Sequence, residues 1–117
     1  MSFTVHFYEE DNGTQPVKDF LLSMTNRKLQ AKTFAMLELL EEKGNALREP
    51  YTKHLEEGIF ELRTHVKNDA LRTLFFYEEN KIIVLAHIFV KKTRKTPRRE
   101  IALAKKRQAI YMSRKEK

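Results

Sequence analysis

Three segments between Gly58 and Val90 constrain this chain most: Gly58 to Val66, Ala70 to Glu78 and Lys81 to Val90 all alternate with period two and are rich in β-branched and aromatic residues. Only Lys67-Asn68-Asp69 and Glu79-Asn80 separate them. Links that short permit hairpins, whereas parallel pairing needs a crossover of roughly a dozen residues or more. The centre of the molecule is therefore expected to be an antiparallel meander, with the rest of the chain packed on its faces and edges.

Phe3 to Tyr8 alternates Phe3, Val5 and Phe7 against Thr4, His6 and Tyr8, which predicts a half-buried strand, and Glu9 to Gly13 turns the chain. Thr14 as N-cap and Pro16 in the first turn introduce a short helix whose apolar side is Val17, Phe20, Leu21 and Met24. A longer helix is expected from about Arg27 to Lys43, with Leu29, Phe34, Met36, Leu37 and Leu40 on its apolar side and Gly44 as its C-terminal cap. Asn45 to Glu57, with Pro50 and little periodicity, reads as an irregular connection carrying Lys53 and His54. Thr96-Pro97 starts a last helix that runs to about Arg114. The predicted order is βααβββα: one α+β domain over residues 1–117, in which a helical hairpin covers one face of an antiparallel sheet.

The net charge of +7 is unevenly distributed. From Lys91 to Lys117 there are 12 Lys or Arg against Glu100 and Glu116, so the first 90 residues carry about −3. A segregated basic region suits a phosphate-rich or acidic partner, or is simply a solvated basic tail. Cysteine is absent, which excludes disulfides, thiol catalysis and cysteine-ligated zinc. No apolar run reaches the roughly 20 residues of a membrane span, and no signal peptide is evident, so a cytoplasmic location is expected.

Strict alternation assigns each meander strand two side-chain sets. Glu61, Arg63 and His65 fall with Ile59; Arg72 falls with Leu74 and Phe76; His87 and Lys91 fall with Ile83, Leu85 and Phe89. If register brings these sets together, Arg63, Arg72, His87 and Lys91 converge on the sheet face away from the helical hairpin. Each has a plain alternative: Arg63 pairing with Glu61 or Glu78, Arg72 as a charge at a strand start, His87 as a hydrogen-bonded core histidine, Lys91 as the strand's exit into solvent. Burying part of a cation cluster, however, is unfavourable unless something supplies negative charge, and a phosphate would do so. Neither metal-ligand spacing nor a Gly-rich phosphate loop occurs. Cations and a titrating group suffice for metal-free RNA cleavage, in which a base takes the ribose 2′-OH proton, the oxygen attacks the adjacent phosphate, and Arg or Lys stabilises the phosphorane.

Lys53-His54-Leu55, Gly58-Ile59-Phe60-Glu61-Leu62-Arg63, Leu71-Arg72-Thr73-Leu74-Phe75-Phe76-Tyr77 and His87-Ile88-Phe89-Val90-Lys91-Lys92-Thr93, followed by Lys95-Thr96-Pro97, Glu100 and Ala104, resemble the HigB-like, phage-related branch of the RelE/ParE toxin superfamily. Tyr51 to Tyr111 follows that pattern closely, with Ile88 where a small residue is usual. The resemblance implies a RelE-like α+β fold, no cofactor, cleavage of mRNA on the translating ribosome, and neutralisation by a cognate antitoxin that often carries a helix-turn-helix domain. It makes Arg63 and Arg72 phosphate stabilisers, His87 a candidate general acid or base, and Lys91 a charge-stabilising group. Lys53, Lys92, Arg94 and Lys95 would bind RNA, with Lys105 and Lys106 on the general basic surface; Lys53, Lys91 or Tyr111 would take over proton transfer were His87 a core residue. Two other functions stay open: the gyrase-binding inhibition of the ParE-like relatives, and a non-catalytic RNA-binding regulatory module on the same scaffold.

Overall fold

The computed structural model describes residues 2–79 and 81–115. Along the chain run β1 (Thr4–Phe7), α1 (Pro16–Leu22), α2 (Arg27–Lys43), a single 3₁₀ turn (Gly44–Ala46), β2 (Thr52–Glu56), β3 (Ile59–Val66), β4 (Asp69–Glu78), β5 (Ile82–Val90) and α3 (Arg98–Lys115). One sheet holds all the strands in the order β1-β5-β4-β3-β2. The fold is α+β, with the helical hairpin on one sheet face as expected. Asn80, half of the expected second hairpin link, lies outside the described residues, as do Glu116 and Lys117 of the basic segment.

Local signals account for the helices. Pro16 occupies the first turn of α1, although the capping residue is Gln15 rather than Thr14 and makes no side-chain cap. Asn26 caps α2 by accepting from the Leu29 N–H at 3.1 Å. Gly44 ends α2 with φ of +53°, and a Cβ there would run into the Phe3 ring, so two separate constraints require glycine.

Two elements depart from the sequence expectation. The connection Asn45 to Glu57 contains an edge strand, β2, which pairs antiparallel with β3 through Thr52↔Leu62, Lys53↔Glu61 and His54↔Phe60. It shows no apolar alternation because its central residues, Lys53 and His54, are exposed and line open clefts rather than a core. The sheet is also mixed, since β1 lies parallel to β5 from Thr4↔Ile82 to Phe7↔Leu85. The meander leaves the outer edge of β5 unpaired, and the first strand of the chain closes it.

Val17, Leu21, Leu29, Leu37 and Leu40 of the helical hairpin pack on Leu62, Leu71, Phe75, Ile83, Leu85 and Ile88. On the opposite face Ala104 of α3 packs with Ile59, Leu74, Phe76, Val84, Ala86, Phe89 and Tyr8. The molecule therefore has three layers, with α3 over the face that the hairpin leaves free. A bulge sets which β5 residues reach which face: Leu74 pairs with His87 but Phe75 with Leu85, so Ala86 is extra and the alternation changes phase. Ile83 and Leu85 consequently join the hairpin core while His87 and Phe89 lie on the α3 side, splitting the side-chain set that strict alternation predicts. Ile88 is buried against the hairpin, so it does not crowd the His87 face. Among the described residues no helix is long and apolar enough to cross a membrane.

Candidate functional site

The β3–β4 register places Arg63 directly opposite Arg72, and Glu61 one step along opposite Leu74. These residues share the α3 face of the sheet, and Glu61, 2% exposed, is the charge around which they are organised. Its Oε2 accepts from Arg63 Nε at 3.0 Å and lies 3.7 Å from Arg72 Nε; its Oε1 accepts from the Thr96 hydroxyl at the start of α3. Arg72 is nearly buried and donates to the Leu71 carbonyl at 3.2 Å. Burial lowers its pKa, opposed by Glu61 and reinforced by the like charge of Arg63. Arg63 is 26% exposed and also stands 4.0 Å from the surface carboxylate of Glu49.

Negative charge for the arginines is thus supplied from within the chain. From the sequence, Glu61 is recognisable as a partner for Arg63 and Thr96 only as a residue at the start of the last helix. Alternation on β3 does show that Glu61 and Arg63 share a face; nothing local shows that Thr96, 35 residues away, meets them.

Beside this group a cleft of about 440 Å³ opens between Lys53 and His54 of β2, Arg63 of β3, and Arg94, Lys95 and Thr96 of the β5–α3 loop. Lys53, Arg94 and Lys95 are exposed and have no ion-pair partner among the described residues. The Thr93 hydroxyl donates to the Lys95 carbonyl at 2.7 Å and folds the loop locally. Lys92 is exposed on the same loop. Lys91 extends the β5–β4 ladder by one bond, its N–H donating to the Ala70 carbonyl at 2.9 Å, and this register puts it on the Arg63 face.

His87 shares that face but not the cleft. It lies two strands from Glu61, with Leu74 between them, a backbone separation of about 10 Å at the usual strand spacing. Its Nε2–H donates to Glu100 at 2.7 Å, and its ring stacks on Phe89 with centroids 5.6 Å apart. Burial pushes its pKa below the ordinary value, partly opposed by the bond and charge of Glu100. Tyr111 is farther along α3, donating to Glu78 at 2.7 Å, and burial followed by that bond pushes its pKa up to about 12.

Most of the cations of α3 are bound to acidic residues elsewhere in the chain. Arg98 pairs with Glu56; Lys105 with Glu56 at 3.1 Å and Glu57 at 3.0 Å; Arg107 with Glu10 at 3.4 Å; Arg114 with Asp11 at 2.7 Å; and Lys115 with Glu78. Hydrogen bonds from Arg98 and Lys105 lower the Glu56 pKa to about 2. Arg107 also donates to the carbonyl of the bulged Ala86 at 2.8 Å. Lys105, expected on the general basic surface, is therefore a fastening of α3, whereas Lys106 remains exposed. Within the segment from Lys91, the cations without an ion-pair partner among the described residues are Lys91, Lys92, Arg94 and Lys95 of the loop and Lys106 of α3.

No curated protein matches the chain. The model of the family described as "Phage derived protein Gp49-like (DUF891)" matches residues 20–109, a span that takes in the end of α1, all of α2, the whole meander, the basic loop and most of α3. The chain belongs to this phage-derived, Gp49-like family.

Proposed function

We propose that this protein is the toxin of a type II toxin–antitoxin pair, acting as a ribosome-dependent, metal-independent mRNA endoribonuclease. The observation that supports this most is the gathering of Lys53, Arg94 and Lys95, without ion-pair partners among the described residues, around the cleft that exposes Arg63, while the cations of α3 are largely neutralised by carboxylates. A phosphate in that cleft meets guanidinium and ammonium donors in a partly dehydrated setting, where they stabilise developing negative charge most. The 2′-oxygen attacks phosphorus as its proton leaves, and the 5′-oxygen departs with a proton. The products are a 2′,3′-cyclic phosphate and a free 5′-hydroxyl. DNA lacks the attacking group.

In this reading Arg63 contacts the phosphate, Glu61 aims Arg63, and Arg72 counterbalances Glu61 from behind. Lys53 is the cleft residue available to exchange protons with the reacting oxygens. His87, bonded to Glu100 on α3, acts as a positioning residue for the first turn of that helix. Lys91 and Lys92 extend the basic track toward ribosomal RNA. The partners are the ribosome with its message, in the cytoplasm, and an antitoxin, often with a helix-turn-helix domain, that covers the cleft with acidic or apolar side chains.

Producing the protein alone in cells and following amino-acid and nucleotide precursors tests this. Amino-acid incorporation should stop first, with cuts in translated messages, and co-production of the neighbouring antitoxin should restore growth. Failure of DNA synthesis before translation would replace the nuclease by the gyrase-binding reading.

A further inference from the structure

A second cleft, of about 680 Å³, lies across the β2 edge from the first. The two share Lys53 and His54 as walls, so they form a continuous path over the sheet edge. Successive residues of an edge strand point to opposite faces. Lys53, opposite Glu61, turns to the Arg63 side; His54, opposite Phe60, turns to the other.

The second cleft is aromatic. The exposed His54 ring meets Phe60 edge-on with centroids 4.9 Å apart, and Phe60 meets Tyr77 edge-on at 5.2 Å. Phe60 also stacks on the buried Phe75 at 5.7 Å, which fixes its orientation. Phe60 and Tyr77 are half-buried, so part of each ring faces the cleft. Asn45 and Arg48 complete the wall, both exposed, and Arg48 has no ion-pair partner among the described residues. Its one carboxylate, Glu49, is exposed and stands 4.0 Å from Arg63, so a phosphate arriving at Arg63 displaces it into water without stranding a buried charge. Rigid rings flanked by free cations are the arrangement on which single-stranded nucleic acid stacks its bases while its backbone follows the positive charge.

We infer that the His54–Phe60–Tyr77 cleft is a nucleobase-stacking subsite, which takes one unpaired base of an RNA strand whose neighbouring phosphate lies in the Lys53–Arg63 cleft. The inference rests on the RNA reading above and extends it to the part of the strand beside the phosphate. Stacking tolerates any base, so the subsite favours an unpaired strand without specifying its sequence.

The test uses the full chain and a fluorescein-labelled RNA heptamer, 2′-O-methylated throughout so that no cleavage occurs, with affinity measured by anisotropy. A set of heptamers each lacking one base maps the subsite. Removing one particular base should weaken wild-type binding roughly 10-fold or more. In His54→Ala, whose side chain is exposed and not needed for folding, the same removal should have little further effect, because base and ring then no longer interact. Phe60→Leu, which keeps apolar volume against Phe75, should behave likewise. Equal binding of every heptamer, absence of binding, or additive losses in both variants would each overturn the subsite. Binding is measured apart from cleavage: a protein with the base-dependent pattern that never cuts a ribosome-bound message would keep the subsite and lose the nuclease, and a nuclease without the pattern the reverse.

Discussion

The Arg63 Nε–H donates to Glu61 at 3.0 Å, and the Arg72 Nε reaches the same carboxylate oxygen at 3.7 Å from the neighbouring strand. One buried negative charge thus holds two guanidinium groups that would otherwise repel one another across a cross-strand pair. Glu61→Gln keeps the shape and removes the charge, leaving Arg72 buried without a counter-ion. Breaking a buried pair from one side is expected to destabilise the fold by about 3–5 kcal/mol. Urea denaturation measures this, and an unchanged midpoint would show that Glu61 is not what makes Arg72 tolerable in the interior.

Arg63 and Arg72 should separate experimentally. Arg63→Ala removes the donor that faces the cleft, and cleavage of a ribosome-bound message in a single turnover should fall roughly 100- to 1,000-fold, with some loss of stability as well because the 3.0 Å partner of the buried Glu61 goes with it. Arg72→Ala should lower stability by about 1–3 kcal/mol, since it too strips one partner from a buried carboxylate, but leave cleavage by the folded protein much closer to wild type. Equal losses of cleavage in the two folded variants would argue against their division into contact and counterbalance.

His87 makes a prediction about pH. Burial holds its folded pKa below the ordinary 6.5, so between the two values the unfolded chain binds the proton more readily. The stability contributed by neutral His87 is therefore complete above about pH 6.5 and lost as the pH falls through the folded pKa. Melting temperatures from about pH 5 to 7.5 should drop toward acid in the wild type and less so in His87→Gln. The same variant should cleave within about threefold of wild type; a loss of roughly 100-fold or more in a folded protein would return proton transfer to His87.

Lys95 and Lys105 test which cations meet RNA. Lys95→Ala should reduce the salt dependence of RNA binding by about one phosphate's worth. Lys105→Ala should leave that slope nearly unchanged, because Glu56 and Glu57 already neutralise the ammonium. Fluorescence anisotropy at several salt concentrations compares them, and equal slope changes would show that the α3 pairs open when RNA binds.

Much of the site was legible in the residues themselves. Alternation put Glu61 with Arg63 on β3 and Arg72 with Leu74 on β4, and the observed pairing of Arg63 with Arg72 brings the two sets onto one face. The basic loop after β5 was equally plain. His87 was harder: it does reach the expected face, but only because the bulge at Ala86 reverses the alternation, which also sends Ile83 and Leu85 to the other side. A bulge leaves no mark in the periodicity of VLAHIFV, whose residues are apolar on both faces. β2 was missed because an edge strand is stabilised by its neighbour more than by its own pattern.

The helices, β1 and the three meander strands follow from the sequence by itself, because period and capping residues act over a few neighbouring positions. Tertiary structure alone decided which charges are free. Thr96 reaches Glu61 across 35 residues, and Arg114 reaches Asp11 across 103. Coulombic and hydrogen-bond partners are chosen by distance in space, so a basic segment that looks uniform along the chain becomes, once folded, a neutralised helix beside a charged cleft.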